Sequence, residues 1–302
     1  MIYFIITLII LTILLCIGYY FTKFSLYPTT KDYDKTYDME LKNGYIDDIY
    51  YKNLEKQEVY LDSDFDYKLH GIWFPNKDSK KTIIICHGYT YTLNGSIKYM
   101  DMFYKRGFNV LLYDHRYHGK SGGKNCTMGY YEKLDLKSWV SWVTNKTGKD
   151  SIIGTHGESM GAATVLMHAA IDDRLTFAIA DCPFESVYEQ FKYRLKIEYK
   201  LPPFPFLNFA NLITKIKTKA FYKDIAPIKT IENIKFPVLF IHGDSDTYIP
   251  YSHTQHMYDL KKGPKQLYFA KGADHAKSYF VDKDEYQKVV YKFLDSIDEL
   301  KQ

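Results

Sequence analysis

Strong net charge is absent from this 302-residue chain: 40 Lys and Arg stand against 36 Asp and Glu, a formal +4. That balance gives no reason to expect nucleic acid or an acidic polymer as a partner. Cysteine is scarce, with residues at 16, 86, 126 and 182 and neither a CxxC pair nor a zinc-type spacing. No disulfide framework is therefore expected, and free thiols are. Basic residues are missing ahead of the first apolar run, and no small-residue cleavage site follows it, which argues against a cleaved signal peptide. Internal repeats are absent too. Aromatic residues, by contrast, are abundant at 17%, including 30 Tyr and 19 Phe. They supply large core payloads and the means to line a pocket, although codon bias would produce the same excess.

Residues Ile2 to Phe21 are almost uninterruptedly apolar and uncharged, and about 20 such residues cross a bilayer as a helix. The expected organisation is a membrane-spanning anchor over residues 1–22, a tyrosine-rich juxtamembrane linker with room for one short helix over 23–57 and a folded domain over 58–302. Lys23, Lys31 and Lys35 all follow the span, which places the folded body on the cytoplasmic side.

Within the folded domain, Glu58–Leu61 and Lys68–Phe74 read as a hairpin around the turn-rich Asp62–Asp66. Further strands are expected at Thr82–Cys86, Asn109–Asp114, Ser151–His156, Phe177–Asp181, Val238–His242 and Gln266–Ala270. Several are unbroken β-branched or apolar runs, as in parallel strands buried on both faces. Helix-like stretches alternate with them, which predicts an α/β fold with a doubly wound, mostly parallel sheet. Between Asp181 and Pro237 the alternation breaks for over fifty residues. So long a structureless loop is unusual in a compact domain. A small helical cap over about 184–235 is expected instead, above the carboxyl edge of the sheet.

The chemistry-bearing stretch is Gly157-Glu158-Ser159-Met160-Gly161, between a strand and the helix-like Ala162–Ala170. A G-x-S-x-G sequence in that context forms a strained turn that lifts the serine hydroxyl above the sheet. The flanking glycines relieve crowding where strand and helix approach. Serine needs a base to take its proton and a third group to orient that base. Downstream, Gly243-Asp244-Ser245-Asp246 leaves one strand and Lys271-Gly272-Ala273-Asp274-His275 leaves the next. An acid and a histidine thus stand at strand carboxyl ends, where crevices of open α/β sheets form.

Together with His87-Gly88 and Asp114-His115-Arg116-Tyr117-His118-Gly119-Lys120-Ser121, these stretches resemble the α/β-hydrolase superfamily. The resembling branch includes monoglyceride-lipase-like esterases and serine aminopeptidase-like hydrolases, and the likeness extends over residues 58–295. It implies the α/β-hydrolase fold, Ser159 as nucleophile, His275 as general base and Asp246 as the orienting carboxylate, with Asp244 holding the loop. It also implies an oxyanion hole from the backbone N–H groups of Tyr89 and Met160, worth roughly 3–4 kcal/mol per donor.

Ester or thioester hydrolysis of a small or lipid-like acyl substrate is the leading expectation. A peptidase on the same triad and a non-catalytic membrane-tethered binder are the alternatives. No cofactor is expected. Metal binding is not expected either, because the His115/His118 and His253/His256 pairs lack carboxylate or cysteine support. His87 and His242 are expected to tie their loops by hydrogen bonds, and His156 to pack in the core. His70 and His168 carry no signal.

Overall fold

The computed structural model describes residues 1–301. Three helices come first: α1 (Ile2–Leu26), α2 (Tyr33–Lys42) and α3 (Asp48–Asn53). The sheet begins with β1 (Gln57–Asp62), β2 (Lys68–Phe74) and β3 (Lys81–Cys86). It continues through α4 (Ile97–Tyr104), β4 (Asn109–Tyr113), α5 (Glu132–Thr147), β5 (Ile152–Glu158), α6 (Met160–Ala169) and β6 (Phe177–Asp181). Helices α7 (Val187–Tyr199) and α8 (Phe206–Thr218) interrupt it before β7 (Val238–Gly243), α9 (Ser252–Leu260) and β8 (Lys265–Ala270). Helices α10 (Ser278–Val281) and α11 (Lys283–Asp295) end the chain.

The eight strands form one sheet in the order β1-β2-β4-β3-β5-β6-β7-β8, in which β2 runs antiparallel to both of its neighbours, β1 and β4, and the other pairs are parallel. Alternate residues feed two cores. Ile83, Ile85, Val110, Leu112 and Ile179 meet Phe103, Val290 and Phe293 on one face. Ile84, Leu111, Ala178 and Phe240 meet Leu136, Trp139 and Val165 on the other. Both faces being buried explains why these strands read as continuous apolar runs. Each such side chain contributes roughly 1.5–3 kcal/mol of transfer free energy.

Residues 23–57 differ from the expected linker. Helix α1 continues to Leu26, and α2 and α3 each start on an aspartate cap: Asp32 accepts from Lys35 N at 3.0 Å and Asp47 from Tyr50 N at 3.0 Å. Ile46 and Tyr51 join the main core, and Glu40 is buried. Tertiary burial, rather than periodicity, fixes these helices.

Candidate active site

The elbow geometry follows from what its glycines exclude. A Cβ on Gly157 would lie 2.3 Å from Gly161 O, and one on Gly161 would lie 2.2 Å from Cys86 O. Strand β5, helix α6 and the end of β3 approach too closely for any side chain there. Between the glycines, Ser159 takes φ 56° and ψ −115°, held by its N–H donating to Asp181 O at 2.8 Å. A non-glycine residue in that region carries roughly 1–3 kcal/mol of strain.

The three side chains named from sequence meet here. Ser159 Oγ lies 2.9 Å from His275 Nε2, and His275 Nδ1 lies 2.7 Å from Asp246 Oδ2. Asp246 Oδ1 accepts from the N–H groups of Tyr248 and Ile249, each at 2.8 Å. Burial by itself would raise the Asp246 carboxyl. The hydrogen bonds and charges of His242 and His275 outweigh it and hold the group well below the usual carboxylate range. The neighbouring acids tie the loops to each other: Asp244 accepts from Gly272 N at 2.6 Å and Asp274 from Thr247 N at 3.1 Å.

His242 contributes more than a loop tie. Its Nε2 faces two acceptors, Asp246 Oδ2 at 3.0 Å and Ile249 O at 2.9 Å, so that nitrogen carries the proton. Its Nδ1 then accepts from the Thr254 hydroxyl at 2.6 Å. Asp246 is therefore clasped by two imidazoles. The signal in the sequence was the four-residue separation of His242 from Asp246 across a glycine turn.

The loop after β3 is held from several sides. His87 Nε2 accepts from His115 N at 2.9 Å, leaving Nδ1 to donate to Gly88 O at 2.7 Å. His118 Nε2 accepts from Thr90 N at 3.2 Å. Burial lowers the pKa of all three imidazoles, that of His115 to about 3, so they remain neutral frame elements. The N-terminal segment reaches the same loop. Lys31 N donates to Thr90 O at 2.8 Å, and the Tyr89 hydroxyl donates to Phe24 O. Neither Tyr89 N–H nor Met160 N–H has an acceptor among the described residues.

Two buried polar pairings were not legible in sequence. Glu158, next to Ser159, accepts from Lys98 Nζ at 2.8 Å and Tyr99 OH at 2.6 Å. Burial opposes its ionisation, but Lys98 outweighs that and keeps the carboxyl below its ordinary value. His70, which carried no signal, lies 2.6 Å from Asp114 Oδ2 and anchors the 114–121 loop. Sequence spacing cannot reveal partners 44 or 60 residues away.

Cys182, Asp246 and His275 place ligand-type atoms within 4.8 Å of one another. Two of these groups already bond to each other, and burial pushes the Cys182 thiol well up, which leaves it a poor thiolate ligand.

Helices α7 and α8 lie over this edge. Gln190 Nε2 donates to Tyr248 O at 2.8 Å, and the Tyr248 ring sits 4.9 Å from the His275 ring. A cavity of about 50 Å³ between α1, α7 and α8 is lined by Phe21, Phe24, Leu195, Leu207 and Tyr248 together with the charged Arg194 and Glu198. A larger depression of about 700 Å³ runs along α11 at Asp284, Lys288 and Asp295, and holds no residue of the Ser159 cluster.

The sequence profile described as alpha/beta hydrolase fold matches residues 81–186. Protein YqkD of Bacillus subtilis is 41% identical over 294 residues, 96% of either chain. The lysophosphatidylserine lipase ABHD12 of Danio rerio is 26% identical over 201 residues, 63% of this chain and 50% of its own. Among solved structures, the Pyrococcus furiosus esterase Pf2001 superposes with a TM-score of 0.67 at 29% identity, covering 80% of this chain and 91% of its own. This chain belongs to the α/β-hydrolase family, and its esterase and lipase likenesses support hydrolase activity.

Proposed function

We propose that the protein is a serine hydrolase that cleaves a carboxylic ester or thioester through an acyl-enzyme. The observation that carries this reading is the chain of contacts Ser159 Oγ–His275 Nε2–Asp246, at 2.9 and 2.7 Å. Ser159 Oγ attacks the acyl carbon while His275 Nε2 takes its proton, and the Asp246 carboxylate stabilises the imidazolium that forms. The N–H groups of Tyr89 and Met160 donate to the oxyanion. His275 then passes its proton to the departing alkoxide or thiolate. In the second half, His275 deprotonates water, which attacks the acyl-enzyme and frees the carboxylic acid and Ser159.

The esterase and lipase likenesses support an ester substrate. Helix α1 is long and apolar enough to cross a membrane. We assign it as an uncleaved anchor over residues 1–22, with residues 184–235 as the cap of a hydrolase domain that faces the cytoplasm.

The test is a panel of p-nitrophenyl esters of increasing chain length run beside aminoacyl amides, for the wild type and Ser159→Ala. Ester turnover that exceeds amide turnover and is lost in Ser159→Ala is expected. Full ester turnover by Ser159→Ala would refute the mechanism. Protease protection of the domain in intact cells checks its side.

A further inference from the structure

The N-terminal helix and the cap are one structural unit, and their geometry sets how near the membrane must come. Gly18 of α1 abuts Phe209 of α8, where a Cβ would lie 2.7 Å from Phe209 Cβ. Thr22 Oγ1 donates to Ala210 O at 3.0 Å, and Ser25 Oγ pairs with Tyr222 OH at 3.1 Å. Phe21 packs edge-on against Tyr199 of α7 at 5.2 Å. The first buried residue of α1 is Gly18, so Ile2–Ile17 stand clear of the cap. Sixteen helical residues rise about 24 Å, whereas a bilayer core is about 30 Å thick. An α1 that spans the membrane must therefore carry its cap-bound end into the lipid, and the cap comes with it.

The cap is built for that position. Helix α8 buries Leu207, Ala210 and Thr214 on one face, yet its other face exposes Leu212 to 49% and Ile216 to 73%. Phe204, just ahead of it, is 73% exposed, and Ile197 of α7 is 43% exposed. Two of the four exposed positions on α8 are thus large aliphatic side chains, beside Asn208 and Lys217. Charge points the same way. Residues 184–235 hold ten Lys or Arg and five acids, a surplus of five in a chain whose net charge is +4, with Lys192 and Arg194 paired to Glu189 and Glu198. Lysine stems bury beside apolar surface while their ammonium groups reach outward, and each basic group near an anionic leaflet adds about 1 kcal/mol of attraction.

We propose that the cap, through the exposed face of α8 and the α7–α8 connection, docks into the surface of an anionic lipid bilayer. The active-site roof is then seated in the headgroup layer, beside lipid-borne acyl chains. This inference rests on α1 being the membrane anchor and is independent of the serine mechanism.

The experiment uses the full chain in nanodiscs, in a Cys16→Ser background, since Cys16 is exposed while Cys86, Cys126 and Cys182 are buried. An environment-sensitive fluorophore is placed on Ile216→Cys, or on Lys149→Cys as the control. Lys149 is exposed and precedes β5, at the opposite edge of the sheet. In phosphatidylcholine discs containing phosphatidylglycerol, the probe at 216 should be blue-shifted and quenched by spin-labelled lipid at least threefold more than at 149. Adding Lys196→Glu with Lys217→Glu should cut that quenching at least twofold with an unchanged circular dichroism spectrum. A 216 probe as solvent-like as the control, in protein retained by the disc, would overturn the docking. Equal quenching in pure phosphatidylcholine would overturn the anionic requirement. Protein that does not partition into discs would overturn the anchor assignment first.

Discussion

Replacing Asp246 with Asn tests the electrostatics of the cluster with little change of shape. The asparagine oxygen can still accept from Tyr248 N and Ile249 N, which the carboxylate holds at 2.8 Å each. Its amide nitrogen then takes the place of Oδ2, 2.7 Å from His275 Nδ1 and 3.0 Å from His242 Nε2. The amide is a donor there. Donation to His275 Nδ1 moves the ring proton to Nε2, which then points at Ser159 Oγ and has no lone pair to receive its hydrogen. Meanwhile the protonated Nε2 of His242 faces an N–H and keeps only Ile249 O. Loss of two charge-assisted bonds costs on the order of 1–3 kcal/mol of stability, and the wrong tautomer costs about 10⁴ in kcat. The assay is steady-state hydrolysis of a p-nitrophenyl ester with KM resolved from kcat, beside thermal unfolding to verify folding. A folded variant whose kcat is within tenfold of wild type would refute the tautomer argument and the role given to Asp246.

Other outcomes follow from single contacts. Lys98→Met strands the Glu158 carboxylate, whose side chain is 13% exposed beside a Lys98 side chain that is 5% exposed. It should cost about 3–5 kcal/mol, and adding Glu158→Gln should recover most of it in denaturant titrations. No recovery would mean that the ion pair is not what holds this corner. Gly161→Ala places a Cβ 2.2 Å from Cys86 O and should destabilise by about 3 kcal/mol or more, read as a lowered denaturation midpoint or lost soluble protein. Burial pushes the Asp135 carboxyl up to about 7, against the opposing bonds from Ser63 and Tyr67. The folded state therefore binds an extra proton between the unfolded value of about 4 and that value. Stability should fall by up to about 1.4 kcal/mol per pH unit across this window as pH rises. Asp135→Asn should flatten that slope, and an unchanged slope would contradict the assignment.

How much was readable depended on whether the cause was local. Strands β3, β4, β6 and β7 were legible because burial on both faces leaves an unbroken apolar run. The elbow was legible because steric exclusion at Gly157 and Gly161 acts within five residues. Strand order put an acid and a histidine at the carboxyl ends of β7 and β8, and the family resemblance singled out Asp246 and His275 there. Helices α2 and α3 were missed because their apolar residues are few and mostly tyrosine; only the caps Asp32 and Asp47 marked their starts. His70 and Lys98 were missed because their partners, Asp114 and Glu158, are brought to them by the sheet. The embrace of α1 by the cap was likewise invisible, since an apolar run reads the same whether it meets lipid alone or lipid and protein together.

The central claim is that Ser159 becomes acylated in the course of turnover. Rapid mixing with a p-nitrophenyl ester, followed by acid quench and peptide mass spectrometry, measures this directly. A burst of nitrophenol approaching one equivalent per chain, with the acyl mass on the peptide that contains Ser159, is predicted. Turnover with no burst in wild type and no acyl adduct even in a slow-deacylating analogue experiment, or an adduct on a peptide lacking Ser159, would contradict it.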